Sequence, residues 1–308
     1  MLYLARRIGL LSLMVLATFV IIMVGTPKDR TGYYASFGEK FERLHIVKPP
    51  RLIMVGGSNV AMGIESEILE KRLRITPVNM GINGGVGLRF MLDNIKPLLR
   101  PGDVAVIIPE YEQLTSIFNG DINLARYLSA SPGAWRGLRS YKQVLVILYH
   151  LPQLVQIQFW EWIRSLGGPL VEPVYSARAY NRFGDMVSHL GRTSPRDMST
   201  ARILTGGKTR VDAEALRELE EFNLYAKQRG ITSLITFPSL TVNAYKDQHR
   251  VIGMIYERIK SGTTIPVISK PEENTYPSEL FYDTAYHLNE KGRSLRTEQL
   301  ARELASVP

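Results

Sequence analysis

A serine follows a short apolar run and two glycines early in the chain. Residues 52–55 are apolar, Gly56 and Gly57 come next, and Ser58 precedes a helix-like pattern over residues 65–73. An apolar run bounded by glycines is typical of a buried strand, and a helix that follows it would point its first N–H groups back at Ser58. That arrangement suits a nucleophile beside oxyanion donors. The alternative is a tight strand-to-helix turn with Ser58 as the helix N-cap.

A histidine with an acid upstream stands before the last helical stretch. His287 lies four residues after Asp283, and helical spacing follows to about residue 304. A histidine oriented by a carboxylate can act as the general base for a serine hydroxyl. The alternative is an ordinary surface histidine near a helix N-terminus.

Asp185 and His189 form a second acid–histidine pair, at helical spacing. We predict a surface pair there, because no third residue completes a metal-ligand set. The chain has no cysteine, which excludes disulfides, thiolate metal sites and cysteine nucleophiles. No metal and no cofactor is predicted.

Alternating strands and helices must position the candidate residues. A strand at residues 76–79 enters a glycine-rich loop that runs to residue 87, and residues 103–109 form a third apolar run, with helical patterns between. This order predicts βαβ units and a mainly parallel sheet, hence an α/β fold. Ligands of such sheets bind at the carboxyl ends of the strands. Ser58, the glycine-rich loop and residues 109–112 should therefore meet at one edge.

The alternation stops in the middle of the chain and resumes late. Residues 115–210 break it, and we expect them to form a mainly helical insertion. Helices and strands then follow in turn at residues 211–230, 231–237, 247–260 and 265–268. We predict one α/β domain over residues 51–308, preceded by a connector at residues 31–50.

Within the insertion, residues 141–166 are largely apolar and aromatic. Glutamines and Glu161 argue against a membrane span, and Pro152 is expected to kink or divide a helix. Three alternatives stay open: an amphipathic element on a membrane, a docking element for a partner protein, or a helix packed on the domain core.

The N-terminus predicts a membrane anchor. Residues 8–26 form an uninterrupted apolar or small-residue run after Arg6 and Arg7. A run of that length can just span a bilayer, and the preceding charges predict a cytoplasmic N-terminus with the domain outside. We predict an uncleaved signal anchor over residues 1–30; the alternative is a cleaved signal peptide.

The composition, with 308 residues, 45% hydrophobic and 22% charged, is that of a globular protein with a sizeable core. The net charge of +9 suits an anionic partner such as a membrane surface or an acidic glycan. No block of lysine and arginine stands out, and no nucleic-acid partner is predicted.

Taken together, three sequence blocks resemble the SGNH hydrolase (GDSL-like) family. They are residues 56–63 with Ser58, residues 79–84 with Gly84, and residues 283–292 with Asp283 and His287. The resemblance covers about residues 50–115 and 210–305. It implies a three-layer α/β/α domain with a mainly parallel central sheet.

The resemblance also implies roles for individual residues. Ser58 would be the acylated nucleophile, His287 its general base and Asp283 the carboxylate that orients the base. The N–H groups of Ser58 and Gly84, with the Asn83 side chain, would hold the oxyanion. Substrate contacts are expected at Asn59, Glu110 and Tyr111.

The anchor followed by an exported domain is similar to the layout of membrane-anchored members of that family, namely the alginate O-acetylation proteins and the D-alanyl transfer protein of teichoic acid synthesis. The resemblance implies an O-acetyltransferase or esterase that acts on an exported polysaccharide or cell-surface glycan. Membrane-bound acyl-donor or polysaccharide export proteins would be its partners.

Three positions depart from the family pattern. Gly57 replaces the usual aspartate, residues 109–112 replace the third-block asparagine, and Asp283 precedes His287 by four residues instead of three. The first two departures support a second hypothesis, a scaffold or glycan-binding subunit without turnover. A nucleotide-binding domain is disfavoured, because the glycines at residues 84–87 lack the dinucleotide spacing.

Overall fold

The structure, a computed structural model, describes residues 32–168, 174–203 and 210–307, together with residues 3, 6, 7, 10 and 14. In these ranges the α-helices are α1 (Phe37–Ile46), α2 (Ser58–Gly63), α3 (Ser66–Leu73), α4 (Leu88–Ile95), α5 (Tyr111–Thr115), α6 (Ile122–Ala130), α7 (Tyr141–Ser165), α8 (Ala213–Lys227), α9 (Val242–Gly262) and α10 (Glu290–Ala305). The strands are β1 (Arg51–Gly56), β2 (Thr76–Asn79), β3 (Val104–Ile108), β4 (Thr232–Ile235), β5 (Leu240–Thr241) and β6 (Thr275–Tyr276).

Four strands form a parallel sheet in the order β2-β1-β3-β4. Met54 pairs with Asn79, and Gly56 pairs with Ile108. The carboxyl ends of three neighbouring strands therefore lie side by side. The predicted α/β fold with a mainly parallel sheet is confirmed. The strand expected at residues 265–268 is reduced to one parallel bridge between Ile235 and Val267.

Alternate residues of each central strand enter different hydrophobic clusters. Ile53 and Val55 belong to a large cluster with side chains of α4, α8 and α9. Leu52 and Met54 belong to a second cluster with side chains of α3 and α10. Successive side chains of a strand point to opposite faces, so helices cover both faces of the sheet. This double burial explains why the strands are continuous apolar runs.

Much of the segment predicted as a connector, residues 31–50, forms helix α1, which packs into the domain. Phe37 and Leu44 are fully buried in the large cluster. The buried Lys40 Nζ donates to the carbonyl oxygens of Gly81 and Gly184, both at 2.6 Å. The apolar side chains of α1 thus pack in the core. Lys40 joins the helix to the loop after β2 at Gly81 and to a second turn at Gly184.

The insertion contains two long helices, α6 and α7, that pack against each other. Helix α7 runs through Pro152 without a break, so the expected division at that residue does not occur. Ile147 and Leu154 enter the large cluster, which agrees with a helix packed on the domain core. The opposite face of α7 is exposed.

Within the described ranges, no helix combines the length and the apolar character needed to cross a bilayer. The signal anchor predicted at residues 1–30 lies outside the described residues, apart from the five isolated positions.

Candidate active site

Ser58 is the first residue of α2, directly after the carboxyl end of β1. Gly57 is the N-cap residue of this helix and adopts an extended backbone. The Ser58 hydroxyl does not cap the helix. It faces two side chains from distant parts of the chain instead, so the alternative of a simple N-cap serine is wrong.

Ser58, His287 and Asp283 form one chain of hydrogen bonds. Ser58 Oγ lies 2.7 Å from His287 Nε2, and His287 Nδ1 lies 2.7 Å from Asp283 Oδ1. Asp283 and His287 sit in the tight turns between β6 and α10, where Tyr282 N–H donates to the His287 carbonyl at 2.7 Å. The four-residue spacing thus allows the contact between acid and histidine, and the geometry is that of a serine nucleophile with base and orienting carboxylate.

Tyr175 from the insertion adds a second donor to the acid. Its hydroxyl donates to Asp283 Oδ2 at 2.5 Å and lies 3.3 Å from His287 Nδ1. Burial by itself raises the pKa of Asp283, but the hydrogen bonds from His287 and Tyr175 outweigh it and hold that pKa below its ordinary value. Asp283 is therefore a carboxylate that can orient and stabilise a protonated His287.

Glu110, directly after β3, reaches the same serine. Its Oε1 lies 3.0 Å from Ser58 Oγ and accepts a hydrogen bond from the Asn59 backbone N–H at 3.1 Å. The carboxyl group also fills the space beside two glycines. A Cβ atom on Gly57 or on Gly84 would lie well under 3.0 Å from a Glu110 carboxylate oxygen. Glu110 thus occupies the region between Ser58 and Gly84 where an oxyanion was predicted to bind.

Burial raises the pKa of Glu110 above its ordinary value, although His287 and the N–H groups of Asn59 and Ser58 lower it in part. The side chain is only 7% exposed. Removal from water disfavours the charged form of a carboxyl group. Glu110 is thus poised to take up a proton more readily than a surface glutamate does.

The Ser58 hydroxyl has one proton and can donate it to only one of its two neighbours, His287 Nε2 or Glu110 Oε1. The other neighbour must itself carry a proton and donate it to Ser58 Oγ, if both contacts are hydrogen bonds. If His287 carries it on Nε2, this N–H donates to Ser58, and Ser58 donates to a Glu110 carboxylate. If Glu110 carries it, the acid donates to Ser58, and Ser58 donates to His287. Only the second arrangement leaves His287 free to accept the serine proton.

Three other predicted site residues make contacts within the fold. Asn59 is buried, and its Nδ2 donates to the Ile108 carbonyl at 3.0 Å, which joins the turn after β1 to the end of β3. Asn83 uses its side-chain oxygen to accept from the Gly85 N–H at 2.9 Å and so caps its own turn. Tyr111 is fully buried and stacks on Phe237 in the core, away from the expected substrate contact.

The predicted surface pair of Asp185 and His189 is wrong, because both side chains are buried. Asp185 accepts from the Ser66 N–H and hydroxyl and from Asn79 Nδ2. Residues 180–192 form turns, not a helix, so the helical spacing was misleading. In the part of the chain that the structure describes, no group of three or more acidic or histidine side chains could hold a metal ion.

Two features of the site are not evident from the sequence. Tyr175 lies in an irregular segment between α7 and α8, without a motif or periodicity that marks it. Glu110 was predicted to contact substrate, but its insertion between Gly57 and Gly84 depends on side-chain direction. The sequence signal for this insertion was the pair of glycines, because neither residue has a side chain to fill the space that Glu110 occupies.

A scan against models of known protein families gives no match to this chain, and a search of curated proteins finds no match either.

Proposed function

We propose that the protein is a serine acyl-transfer enzyme, an O-acetyltransferase or esterase of the SGNH-like kind. The observation that carries the proposal is the hydrogen-bonded chain from Ser58 through His287 to Asp283, at 2.7 Å in both steps. The resemblance of the three sequence blocks supports the same chemistry, and it extends the observed α/β fold to the three-layer SGNH-like arrangement.

In the acylation step, Ser58 Oγ attacks the carbonyl carbon of an acyl donor while His287 Nε2 takes the hydroxyl proton. The carbonyl π electrons move to the oxygen, which becomes an oxyanion. When the tetrahedral intermediate collapses, the bond to the leaving oxygen breaks and His287 returns its proton to that oxygen. The acyl group remains as an ester of Ser58, and Asp283 stabilises the protonated histidine throughout.

In the second step, an acceptor hydroxyl attacks the Ser58 ester with His287 again as the base. Water as acceptor releases the free acid, and a sugar hydroxyl gives an O-acylated glycan. The proton of the acceptor passes through His287 to Ser58, which restores the free serine.

Glu110 decides whether the oxyanion can be held. A carboxylate next to a developing negative charge would raise the barrier, because like charges repel strongly in a buried site. A protonated Glu110 removes this repulsion and can donate a hydrogen bond to the oxyanion. A carboxylic acid kept neutral by burial can serve as an oxyanion donor. We therefore assign the active form to protonated Glu110 with neutral His287.

The substrate class and location rest on the resemblance and on the N-terminal sequence. The apolar run at residues 8–26 and the preceding arginines support a single-pass anchor with an extracytoplasmic, periplasmic domain. An anchor would keep the enzyme close to acyl-donor and export proteins of the membrane. An exported polysaccharide or cell-surface glycan is the acceptor that this placement favours.

One observation favours a second candidate function. Glu110 fills the space beside Gly84, and in its charged form it would compete with any substrate oxyanion. A protein that keeps this carboxylate charged would be a scaffold or glycan-binding subunit of a modification or export complex. The two candidates differ in whether Ser58 reacts.

The test is labelling of the full-length protein with a fluorophosphonate probe, with the modified residue identified by mass spectrometry. We expect labelling at Ser58, none in Ser58→Ala, and a loss of about 10²- to 10⁴-fold in rate in His287→Ala, which lacks the base. Ser306→Ala is the matched control, since this exposed serine lies at the end of α10. A folded protein that is not labelled between pH 5 and 9 would favour the scaffold.

A further inference from the structure

Helix α7 exposes many apolar and aromatic side chains. Leu145, Leu148 and Tyr149 lie on one face and are 56%, 56% and 81% exposed, whereas the polar Gln143 is buried. Their spacing of three and four residues places them on a single stripe. Phe159, Trp160, Trp162 and Ile163 continue the exposed apolar surface toward the C-terminal end. We call this exposed side of α7, together with Trp135, the α7 face.

Exposed arginines lie at both ends of the α7 face. Arg136 and Arg139 are exposed just before α7, and Arg164 is exposed in its last turn. The only acid within α7 is Glu161, and Arg126 of α6 pairs with it at 2.9 Å. Apolar and aromatic side chains with a basic rim are typical of helices that lie in the interface of a bilayer, where the rim meets anionic headgroups.

The continuous description of the chain, which begins at residue 32, starts near this face. Tyr34 donates to Asn123 of α6 at 2.5 Å, and α6 packs directly on α7. Tyr34 is therefore one helix away from α7. If residues 1–30 form the anchor that the sequence predicts, the anchor and the α7 face would engage the same membrane.

We infer that the α7 face rests on the lipid bilayer and is a second membrane contact besides the N-terminal run. Helix α6 lies between this face and the site, because Asp121 N–H donates to the Gly85 carbonyl at 2.8 Å. Packed helices lie about 8–10 Å apart, so the contact would hold the site close to the membrane surface. The inference does not depend on the acyl chemistry.

The chain contains three tryptophans, Trp135, Trp160 and Trp162, and all three belong to the α7 face. Tryptophan emission, excited at a wavelength that tyrosine does not absorb, therefore reports on this surface alone. The full-length protein would be reconstituted into phosphatidylcholine–phosphatidylglycerol vesicles, with lipids brominated on their acyl chains as quenchers. We expect quenching by the brominated lipid and protection from acrylamide in the water phase.

The triple variant Leu145→Glu/Leu148→Glu/Tyr149→Glu places acids on exposed positions and should leave the fold intact. It should lose the lipid quenching and gain acrylamide quenching while the vesicles still carry the protein. Leu224→Glu, at an exposed leucine of α8, is the matched control and should behave as the wild type.

Wild-type tryptophans that acrylamide reaches and brominated lipid does not would overturn the inference. So would protection that depends on protein concentration and not on lipid, because it would show that a second copy covers the face. A wild-type protein that fails to float with vesicles would also overturn it. The labelling of Ser58 is a separate measurement, so either proposal can fail alone.

Discussion

Glu110 and His287 both contact the Ser58 hydroxyl, and in the proposed mechanism the three groups share two protons before the reaction. The reactive arrangement needs one proton on Glu110 and none on His287 Nε2. Burial raises the pKa of Glu110, and loss of its proton leaves a charge where the oxyanion would form. The activity should therefore decline as the pH rises through the pKa of Glu110.

Glu110→Gln should remove that decline at high pH. Glutamine is a neutral donor of almost the same shape and does not ionise, so the activity should no longer fall as the pH rises. Glu110→Ala removes the donor and should slow Ser58 labelling by about 10²- to 10³-fold at the optimum, as for a lost oxyanion donor. Equal labelling rates in both variants would contradict a donor role for Glu110.

Tyr175 is a positioning residue, because it acts on Asp283 and not on the reacting atoms. Tyr175→Phe removes one donor to a charged group, which is worth about 1.5–3 kcal/mol. The pKa of Asp283 should rise, and the labelling rate should fall most at low pH, where Asp283 becomes protonated. The rate of labelling from pH 4 to 8 is the measurement. A uniform loss at every pH would indicate a structural role instead.

Among single residues, those marked by a short local sequence pattern could be predicted from the sequence. Ser58 follows a glycine pair and His287 precedes a helix, and both signals are a few residues long. The burial of Asp185 could not be predicted, because its partners Ser66 and Asn79 are over 100 residues away. Tyr175 escaped prediction for the same reason, since its partner Asp283 is 108 residues away.

At the scale of elements, the turn from β1 to α2 and the turn after β3 lie against each other. The Glu110 side chain of the second turn occupies the space beside Gly57 in the first. Gly57 has φ −77°, a backbone angle that any residue adopts, so the need for glycine comes from the Glu110 side chain beside it. The resemblance places an aspartate at Gly57 and an asparagine at the Glu110 segment. The two departures therefore occur at neighbouring points in space.

Gly57→Ala should destabilise the protein by about 1–3 kcal/mol, as an added carbon does in a packed site. The same change in a Glu110→Ala background should cost far less, because the colliding carboxyl is gone. Chemical denaturation of the four proteins of this cycle measures the coupling. Additive effects would show that Gly57 is required for another reason.

Helix α1 is attached through Lys40, and burial lowers the pKa of that amine to about 7 from the ordinary 10.5. The unfolded chain keeps the proton up to about pH 10.5, so the free energy of unfolding should rise with pH between about 7 and 10.5. Lys40→Met should lack this rise and should lose about 1–3 kcal/mol through unsatisfied carbonyls. Denaturation at several pH values tests this. Parallel curves for wild type and variant would contradict it.

Strands and helices with strong periodicity were predicted within a few residues. The central strands are continuous apolar runs because both faces of the sheet are covered. Helix α1 was missed because tyrosines and prolines flank it, and its burial depends on a loop 40 residues away. The pair β5–β6 has two residues in each strand, too few for a periodic signal.

For the whole molecule, the site and the main buried ion pair lie at opposite ends of the sheet. Arg51 begins β1 and pairs with the buried Asp103 at 2.5 Å, while Ser58 follows the other end of β1. The Arg51 guanidinium also donates to the carbonyls of Leu44 and Leu98. This pair joins α1, β1 and the segment before β3.

Arg51→Met should cost about 3–5 kcal/mol, because it leaves Asp103 charged and unpaired in the interior. The double variant Arg51→Met/Asp103→Leu should recover much of this loss. Thermal unfolding gives the stabilities, and Ser58 labelling of the folded protein should stay unchanged in both variants. A labelling defect in the double variant would show that the two ends of the sheet are coupled.

The hydrogen bond between Ser58 and His287 joins residues 229 positions apart. A ribosome must therefore synthesise the chain past residue 287 before the hydroxyl can meet its base. If the proposed chemistry holds, a nascent chain that ends before His287 carries the serine without its base, so it should not transfer acyl groups.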